Sequence, residues 1–390
     1  SSHLAKRPLH NKVIAACPQG MRTALVRENV EAAASHGTFN GFKPTSTPSR
    51  GHEPPPLWKV HGALICAFTL FGVGAFVSKL GIYGGNPIVF EMSREVLAAP
   101  CLLMMAYQRG LPLLPERRDG PRVGLVCSVF VLGQLCFFVG LKHADASIAS
   151  TWQAMMPVCT TALAVALGQE APNSMKGLGI VCASCGAVFI AMLGARSNRK
   201  VADASGHVLF VCQMLFNALF IVASKRASKK YGAATFLAWV FGVGGVAFCC
   251  IYKLALASPA VHEFICDDPD VRIKNECLDA SWQLPLSQLP CVLYEVVACS
   301  LFGWGLMTWA NAHTDASVVS IYCVVQPLAT MLLSTVSCML LGRTWANRHM
   351  VHVVQAKELL GVALIFCGLI ANYHAERTRQ SNEAGGEFDS

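Results

Sequence analysis

Charge is scarce in this sequence. Only 14% of its residues are Asp, Glu, Lys or Arg, against roughly 25% in soluble domains. Hydrophobic residues reach 54%, and the excess is blocked into runs too long for a soluble core to absorb. That argues against two or three soluble domains and for one polytopic membrane unit. Several motifs are missing as well. No G-x-x-x-x-G-K-[ST] loop is present, which argues against ATP hydrolysis within the chain. Paired catalytic aspartates within the apolar runs, a Gly-x-Ser-Gly nucleophile and a histidine cluster are absent, so no enzyme activity is expected. CASC at 182–185 has no second C-x-x-C, and His349 and His352 have no third ligand nearby; neither a metal site nor a cofactor is expected. The formal charge of +8 is not laid out as a basic stripe interleaved with aromatics, so nucleic acid is not an expected partner.

What is present begins with residues 1–56, polar and rich in Pro, Gly, Ser and His. They read as a disordered basic cytoplasmic tail, without the apolar core of about 7–15 residues that a secretory signal needs. Ten apolar segments follow near 60–80, 87–107, 122–141, 146–168, 175–194, 206–226, 232–253, 289–311, 316–341 and 356–374. Each is about 20 residues, the length of a spanning helix. Residues 376–390 read as a short cytoplasmic tail. Of the 18 cysteines, those within these segments read as small buried hydrophobes.

The segments are duplicated. Shifted by 170 positions, His143, Asp145, Ala146, Ser147, Ser150 and Pro157 fall on His313, Asp315, Ala316, Ser317, Ser320 and Pro327. Ser78-Lys79 matches Ser224-Lys225 and His61 matches His207, while Leu178-Gly179 and Cys185-Gly186 match Leu360-Gly361 and Cys367-Gly368. Segments one to five (57–195) and six to ten (196–375) are therefore two copies. Five is odd, so the copies enter the membrane in opposite orientations, an arrangement typical of secondary transporters with a site near the midplane. The expected fold is all-α: ten transmembrane helices as two inverted five-helix repeats.

Arg109, Arg117, Arg118 and Arg122, and Lys225, Arg226, Lys229 and Lys230, fall on the same side as the basic tail. The positive-inside rule then makes both termini cytoplasmic. The polar, acidic linker 254–288 lies on the other side, where Cys266 and Cys277 either form a disulfide or remain two thiols.

Candidate binding residues follow from polarity inside apolar segments. Arg94 sits near the middle of the second segment with Glu91 three residues away on the same helix face. Charge at that depth costs at least about 2.5–3.5 kcal/mol. The pair serves either substrate or proton coupling, or only as a structural ion pair. The fourth and ninth segments carry small polar faces: Ser147, Ser150, Gln153, Pro157 and Thr161, and Ser317, Ser320, Cys323, Pro327 and Thr330. Each proline removes a backbone hydrogen bond, so cavity lining near the prolines competes with close packing along the face. Gln134, Gln213, Asn217, Trp304 and Gln326 add amides and an aromatic wall, which suit a polar, partly planar organic solute; interhelical hydrogen bonding is the other reading. Asp145 and Asp315 read as helix caps, and Glu295 as interfacial.

At this point the residues suggest a family. PVCTTALAVALGQE at 157–170 resembles the fourth-helix signature of EamA-type proteins in the drug/metabolite transporter superfamily. FFVGLKHADASIAS at 137–150, FGVGAFVSK at 71–79 and SREVLAA at 93–99 resemble its plant walls-are-thin-like branch. The second copy departs from the pattern, with Gly342-Arg343-Thr344 where the first has Gly168-Gln169-Glu170. The resemblance implies a ten-helix carrier moving small metabolites by alternating access. The expected partners are a small-molecule substrate and the lipid bilayer, with a homodimer left open. Plasma membrane, endomembrane and plastid envelope all fit. An organellar exchanger of nucleotide sugars or phosphorylated metabolites, and a membrane receptor or scaffold, are the competing functions.

Overall fold

Backbone within a bilayer must satisfy its own hydrogen bonds, so apolar runs of this length cross as helices. In the computed structural model every described regular element is helical. The structure describes residues 55–83, 85–143, 149, 152–153, 155–170, 173–197, 204–267, 271–279, 283–342 and scattered residues from 360 to 378. In order come α1 (Leu57–Gly81), α2 (Pro87–Gln108), α3 (Gly120–His143), α4 (Met156–Ala166), α5 (Ser174–Ser197), α6 (Ala204–Tyr231) and α7 (Ala233–Ala257). The short helices α8 (Pro259–Ile265) and α9 (Val271–Asp279) precede α10 (Leu286–His313) and α11 (Ala316–Leu341). Asp145, Ser147, Ser150, Arg343, Thr344, His349 and His352 lie outside the described residues, as do nearly all of both expected tails. The expected tenth segment is described only at scattered helical residues.

By length and composition α1, α3, α6, α7, α10 and α11 are each able to cross a membrane. Helix α2 has the length too, but Glu91, Arg94 and Glu95 interrupt its apolar run; all three are buried against other helices. The outer surface carries Met104, Leu125, Val246, Leu254, Phe302 and Leu332 exposed, as lipid contact requires. Local signals set the helix ends. Asn86 Oδ1 accepts from Ile88 N at 2.9 Å, with Pro87 in the first turn, a standard N-terminal cap. Gly232 turns the chain between α6 and α7 at φ +82°, a conformation that side chains disfavour.

The packing pairs distant segments. Helix α2 runs along α7 and α3 along α6; α1 packs on α10 and α11, α6 on α3 and α4, and α4 meets α11. At the centre Phe130 contacts Trp304, Phe220 and Phe241 with ring centroids 4.9, 5.1 and 5.5 Å apart. Near one end of the α3/α6 pair, Asp119 receives hydrogen bonds from Lys230 and Tyr231, which hold its carboxyl below the usual range.

The α2/α7 contact depends on glycine. A Cβ at Gly244 would overlap the Glu95 carboxylate, whereas one at Gly242 meets nothing within 4 Å. Overpacking costs typically about 1–3 kcal/mol, and alanine in a helix recovers up to about 1 kcal/mol. Gly244→Ala is therefore expected to lower the unfolding free energy by about 1–2 kcal/mol in detergent, and Gly242→Ala to leave it unchanged or raise it.

The acidic segment 254–288 is structured rather than an open linker. It holds α8 and α9, joined by a Cys266–Cys277 disulfide with Cα atoms 5.5 Å apart. Lys274 Nζ pairs with Glu263 at 2.8 Å and Asp267 at 3.1 Å, so part of the acidity is neutralised locally.

Candidate substrate cavity

Where the paired helices part, an internal cavity is lined from α1, α2, α3, α4, α6, α10 and α11. Phe71, Phe137, Phe138 and Trp304 supply aromatic wall, and Gln134, Gln153, Gln213, Asn217 and Gln326 supply amides. Arg94 also reaches it. Seven residues singled out from polarity alone are among them, Arg94, Gln134, Gln153, Gln213, Asn217, Trp304 and Gln326, drawn from six helices or the turns before them. Glu91, Pro157 and Pro327 do not line it. Glu91 stands behind Arg94. Pro157 lies in the first turn of α4, where its missing N–H goes unused. Pro327 follows a 3-10 turn at Tyr322–Val324.

Arg94 is held from several directions. Its Nε donates to Glu91 Oε2 at 2.6 Å, its Nη2 pairs with Glu91 Oε1, and its Nη1 donates to Ser300 Oγ at 3.2 Å. The guanidinium lies 5.3 Å from the Phe241 ring and 5.7 Å from Phe138. The Glu91 side chain is 0% exposed and the Arg94 side chain 2%. A bidentate pair this deep has structural weight whatever else it does.

The polar faces of the fourth and ninth segments serve mainly as contacts. Thr160 Oγ1 donates to Met156 O, and at the matching position Thr330 Oγ1 donates to Gln326 O and Gly72 O. Thr160, rather than Thr161, is thus the counterpart of Thr330. Ser320 Oγ donates to Ser317 O, and Cys323 is buried. Among the described residues of these faces only Gln153 reaches the cavity, with Gln326 next to the ninth segment's proline.

Two expectations need correcting. Glu295 is not interfacial: it is 4% exposed, lines the cavity, and accepts from Ser78 Oγ at 2.8 Å. Helix α10 starts three residues early in a 3-10 turn, Leu286–Gln288, which carries Glu295 deeper than the apolar run alone suggests. Glu295 then opens a π-helical stretch, Glu295–Gly303, and such wide turns are frequent at functional sites. Asp315 occupies the N-cap position of α11 but makes no side-chain cap bond. Its carboxylate pairs instead with Lys176 Nζ at 2.9 Å and lies 3.6 Å from Lys225 Nζ.

That ion pair belongs to a larger latch. Glu170 accepts from Ser317 N at 3.0 Å and from Ser317 Oγ, and Lys176 Nζ lies 3.5 Å from it. The latch ties the turn before α5 to the α10/α11 junction and the end of α6. Nearby, His61 Nδ1 hydrogen-bonds the Tyr322 hydroxyl. Its counterpart under the two sequence offsets is Trp152 Nε1 donating to His207 Nδ1 at 3.1 Å. Among the described residues, no group of three His, Cys, Asp or Glu is arranged to hold a metal ion.

Comparison with known proteins finds similarity to membrane transporters. Residues 58–192 match the EamA-like transporter family. The chain is 24% identical to an uncharacterized transporter of Archaeoglobus fulgidus over 276 residues, 69% of this chain and 86% of the relative. It is 22% identical to the uncharacterized transporter YetK of Bacillus subtilis over 277 residues, 70% of this chain and 78% of that one. A protein of known crystal structure superposes with a TM-score of 0.59 at 13% identity, covering 82% of this chain and 96% of the other, which speaks to the fold alone. Apolar spanning helices, an apolar outer surface and these similarities together point to a multi-pass membrane transporter, of which residues 58–192 resemble the EamA-like transporter family.

Proposed function

We propose that the protein is a secondary transporter moving a small organic metabolite by alternating access between two inverted five-helix repeats, 57–195 and 196–375. Both termini, with the tails 1–56 and 376–390, are cytoplasmic in this reading. The observation that carries it is the cavity, whose wall draws on both halves of the chain and combines amides with aromatic rings. The helix pairing supports the repeats. Exchanging α1 with α6, α2 with α7, α3 with α10 and α4 with α11 leaves the set of packed pairs described above unchanged. The His61–Tyr322 and His207–Trp152 pairs obey the same exchange.

An exchanger of phosphorylated metabolites fits less well. Such anions need free cationic groups, and the one cation among the described residues of the cavity wall, Arg94, already holds Glu91 in a bidentate pair. A receptor or scaffold would not depend on the amide lining.

The test is uptake by proteoliposomes and thermal-shift binding across amino acids, amines, sugars, nucleobases and organic acids. A substrate found this way is expected to bind about two- to tenfold more weakly to Gln213→Ala, since one lost hydrogen bond is worth about 0.5–1.5 kcal/mol. Trp304→Ala is expected to weaken it further, with both variants folded. Uptake unchanged in both would refute the cavity as the transport site.

A further inference from the structure

We infer that the transported solute is a small organic ammonium ion and that it exchanges with a proton on Glu295. The inference rests on the carrier reading above and adds the substrate's charge.

The argument begins with the charges around the cavity. Three carboxylates, Glu91, Glu95 and Glu295, surround one guanidinium, and all three are at most 4% exposed. Glu91 takes Arg94 in a bidentate pair. Glu95 lies 3.7 Å from Arg94, on the side facing α7 and away from the cavity. Glu295 alone among the three opens on the cavity. Among the described residues the groups around it are few: Ser78 and side-chain-free Gly74 on α1, Arg94 and Glu91 on α2, and Cys291, Tyr294 and Cys299 on its own helix. Arg94 is the one cation in this set, and it is committed to Glu91. A carboxylate so placed inside a bilayer does not stay charged without a counterion. It carries either a proton or a cationic ligand.

The hydrogen-bond inventory points the same way independently. Gln213 is 2% exposed and lines the cavity, yet among the described residues its Oε1 has no hydrogen-bond partner, and neither has Asn217 Oδ1, one turn along. Buried acceptors left unmet call for a ligand that brings donors. Turning either amide over would swap its oxygen for a donor, but Glu295, once ionised, remains an acceptor only. An ammonium group answers both needs. Phe71, Phe137, Phe138 and Trp304 then face the rest of the ligand, and aromatic faces attract cations.

The exchange balances in charge. An incoming R-NH3+ displaces the proton from the Glu295 carboxyl to water, and the site then holds a carboxylate–ammonium pair. Release of the solute on the far side lets a proton return to the carboxylate. One monovalent cation moves against one proton, and the occupied and empty sites carry the same charge.

The test uses the full-length protein in detergent with phenethylammonium, neutral phenylethanol and anionic phenylpropionate as probes of similar shape. Dicyclohexylcarbodiimide, which adds to protonated carboxyls in apolar sites, is expected to label the Glu295 peptide, read by mass spectrometry. Phenethylammonium should block that labelling, and the other two should not. Its binding should release one proton per ligand in weakly buffered solution, so its apparent Kd tightens about tenfold per pH unit. Glu295→Gln, which keeps an acceptor for Ser78, should abolish proton release and flatten the pH dependence. Gln213→Ala should weaken binding without changing proton release. Preference for the neutral or anionic probe, or ammonium binding without proton release, overturns the inference and leaves the carrier reading standing. So does a Glu295 that stays unlabelled at every pH. If no probe of any charge binds the folded protein, the cavity fails as a solute site and both readings fall.

Discussion

Glu91→Ala is expected to cost the fold about 3–5 kcal/mol, because it strands Arg94 as a buried, unpaired cation. The guanidinium is 2% exposed and, apart from the cavity it borders, is enclosed by the surrounding helices. Its contacts with Ser300, Phe138 and Phe241 remain in the variant and offset part of the loss. Glu95, 3.7 Å away, is the nearest replacement partner, which places the cost towards the lower end of that range. A double variant sharpens the test. Glu91→Leu with Arg94→Leu removes both charges, and replacing a buried pair by apolar residues is often neutral or better. It is therefore expected to recover stability to within about 1 kcal/mol of the parent. Unfolding in detergent by denaturant, measured on the parent, Glu91→Leu, Arg94→Leu and the double, closes the cycle. A double variant as unstable as Glu91→Ala would mean the pair's role is packing volume, not charge.

This also changes how Arg94 is to be read. Substituting Arg94 alone leaves Glu91 unmatched, so lost uptake in Arg94→Ala would not separate a substrate contact from a damaged helix pair. The amides of α3 and α6 probe the cavity more cleanly, because Gln134, Gln213 and Asn217 carry no charge to strand.

What the sequence made legible is what depends on short-range pattern. Apolar runs located the helices, and polar residues inside those runs located a shared cavity, since burying Gln213 or Trp304 in a membrane protein leaves few places for their polar atoms to go. Contacts between distant segments were harder. The depth of Glu295 was misjudged because a 3-10 turn lengthened α10 at its start, and a run of apolar residues does not record where a helix begins. Asp315 matched a cap in local sequence, but its carboxylate is drawn to Lys176, 139 residues earlier in the chain. Glu170 appeared only as part of a short signature. Its partners, the backbone and hydroxyl of Ser317, come into reach only after the halves have packed. The structure of 254–288 was likewise hidden, because polar composition does not distinguish an open linker from two short helices tied by a disulfide.

If the proposed alternating access holds, Lys176→Met is expected to release the latch and shift the protein towards a state open at that end. Lys176 Nζ stands between two carboxylates, 2.9 Å from Asp315 and 3.5 Å from Glu170, and its side chain is 8% exposed. Removing it brings two largely buried anions face to face. Full loss of a buried partner costs about 3–5 kcal/mol. Here Lys225 lies 3.6 Å from Asp315 and Ser317 donates twice to Glu170, which leaves about 2–3 kcal/mol against the latched state. If the latch forms in one state of the cycle and not in the other, that difference moves the population by about 30- to 150-fold towards the open form. The fold itself need lose little, since the bundle keeps its aromatic centre. A Met307→Cys reporter reads the change, because Met307 is 2% exposed and lines the cavity about two turns from the α10/α11 junction. Its alkylation by an impermeant maleimide applied at the latch end, followed by peptide mass spectrometry, should rise by that factor in Lys176→Met. Lys225→Met should raise it less, since 3.6 Å and a more exposed side chain make the weaker contact. Equal labelling in all three proteins, with stability lost instead, would show that the Glu170–Lys176–Asp315 cluster fastens the fold and does not gate the cavity.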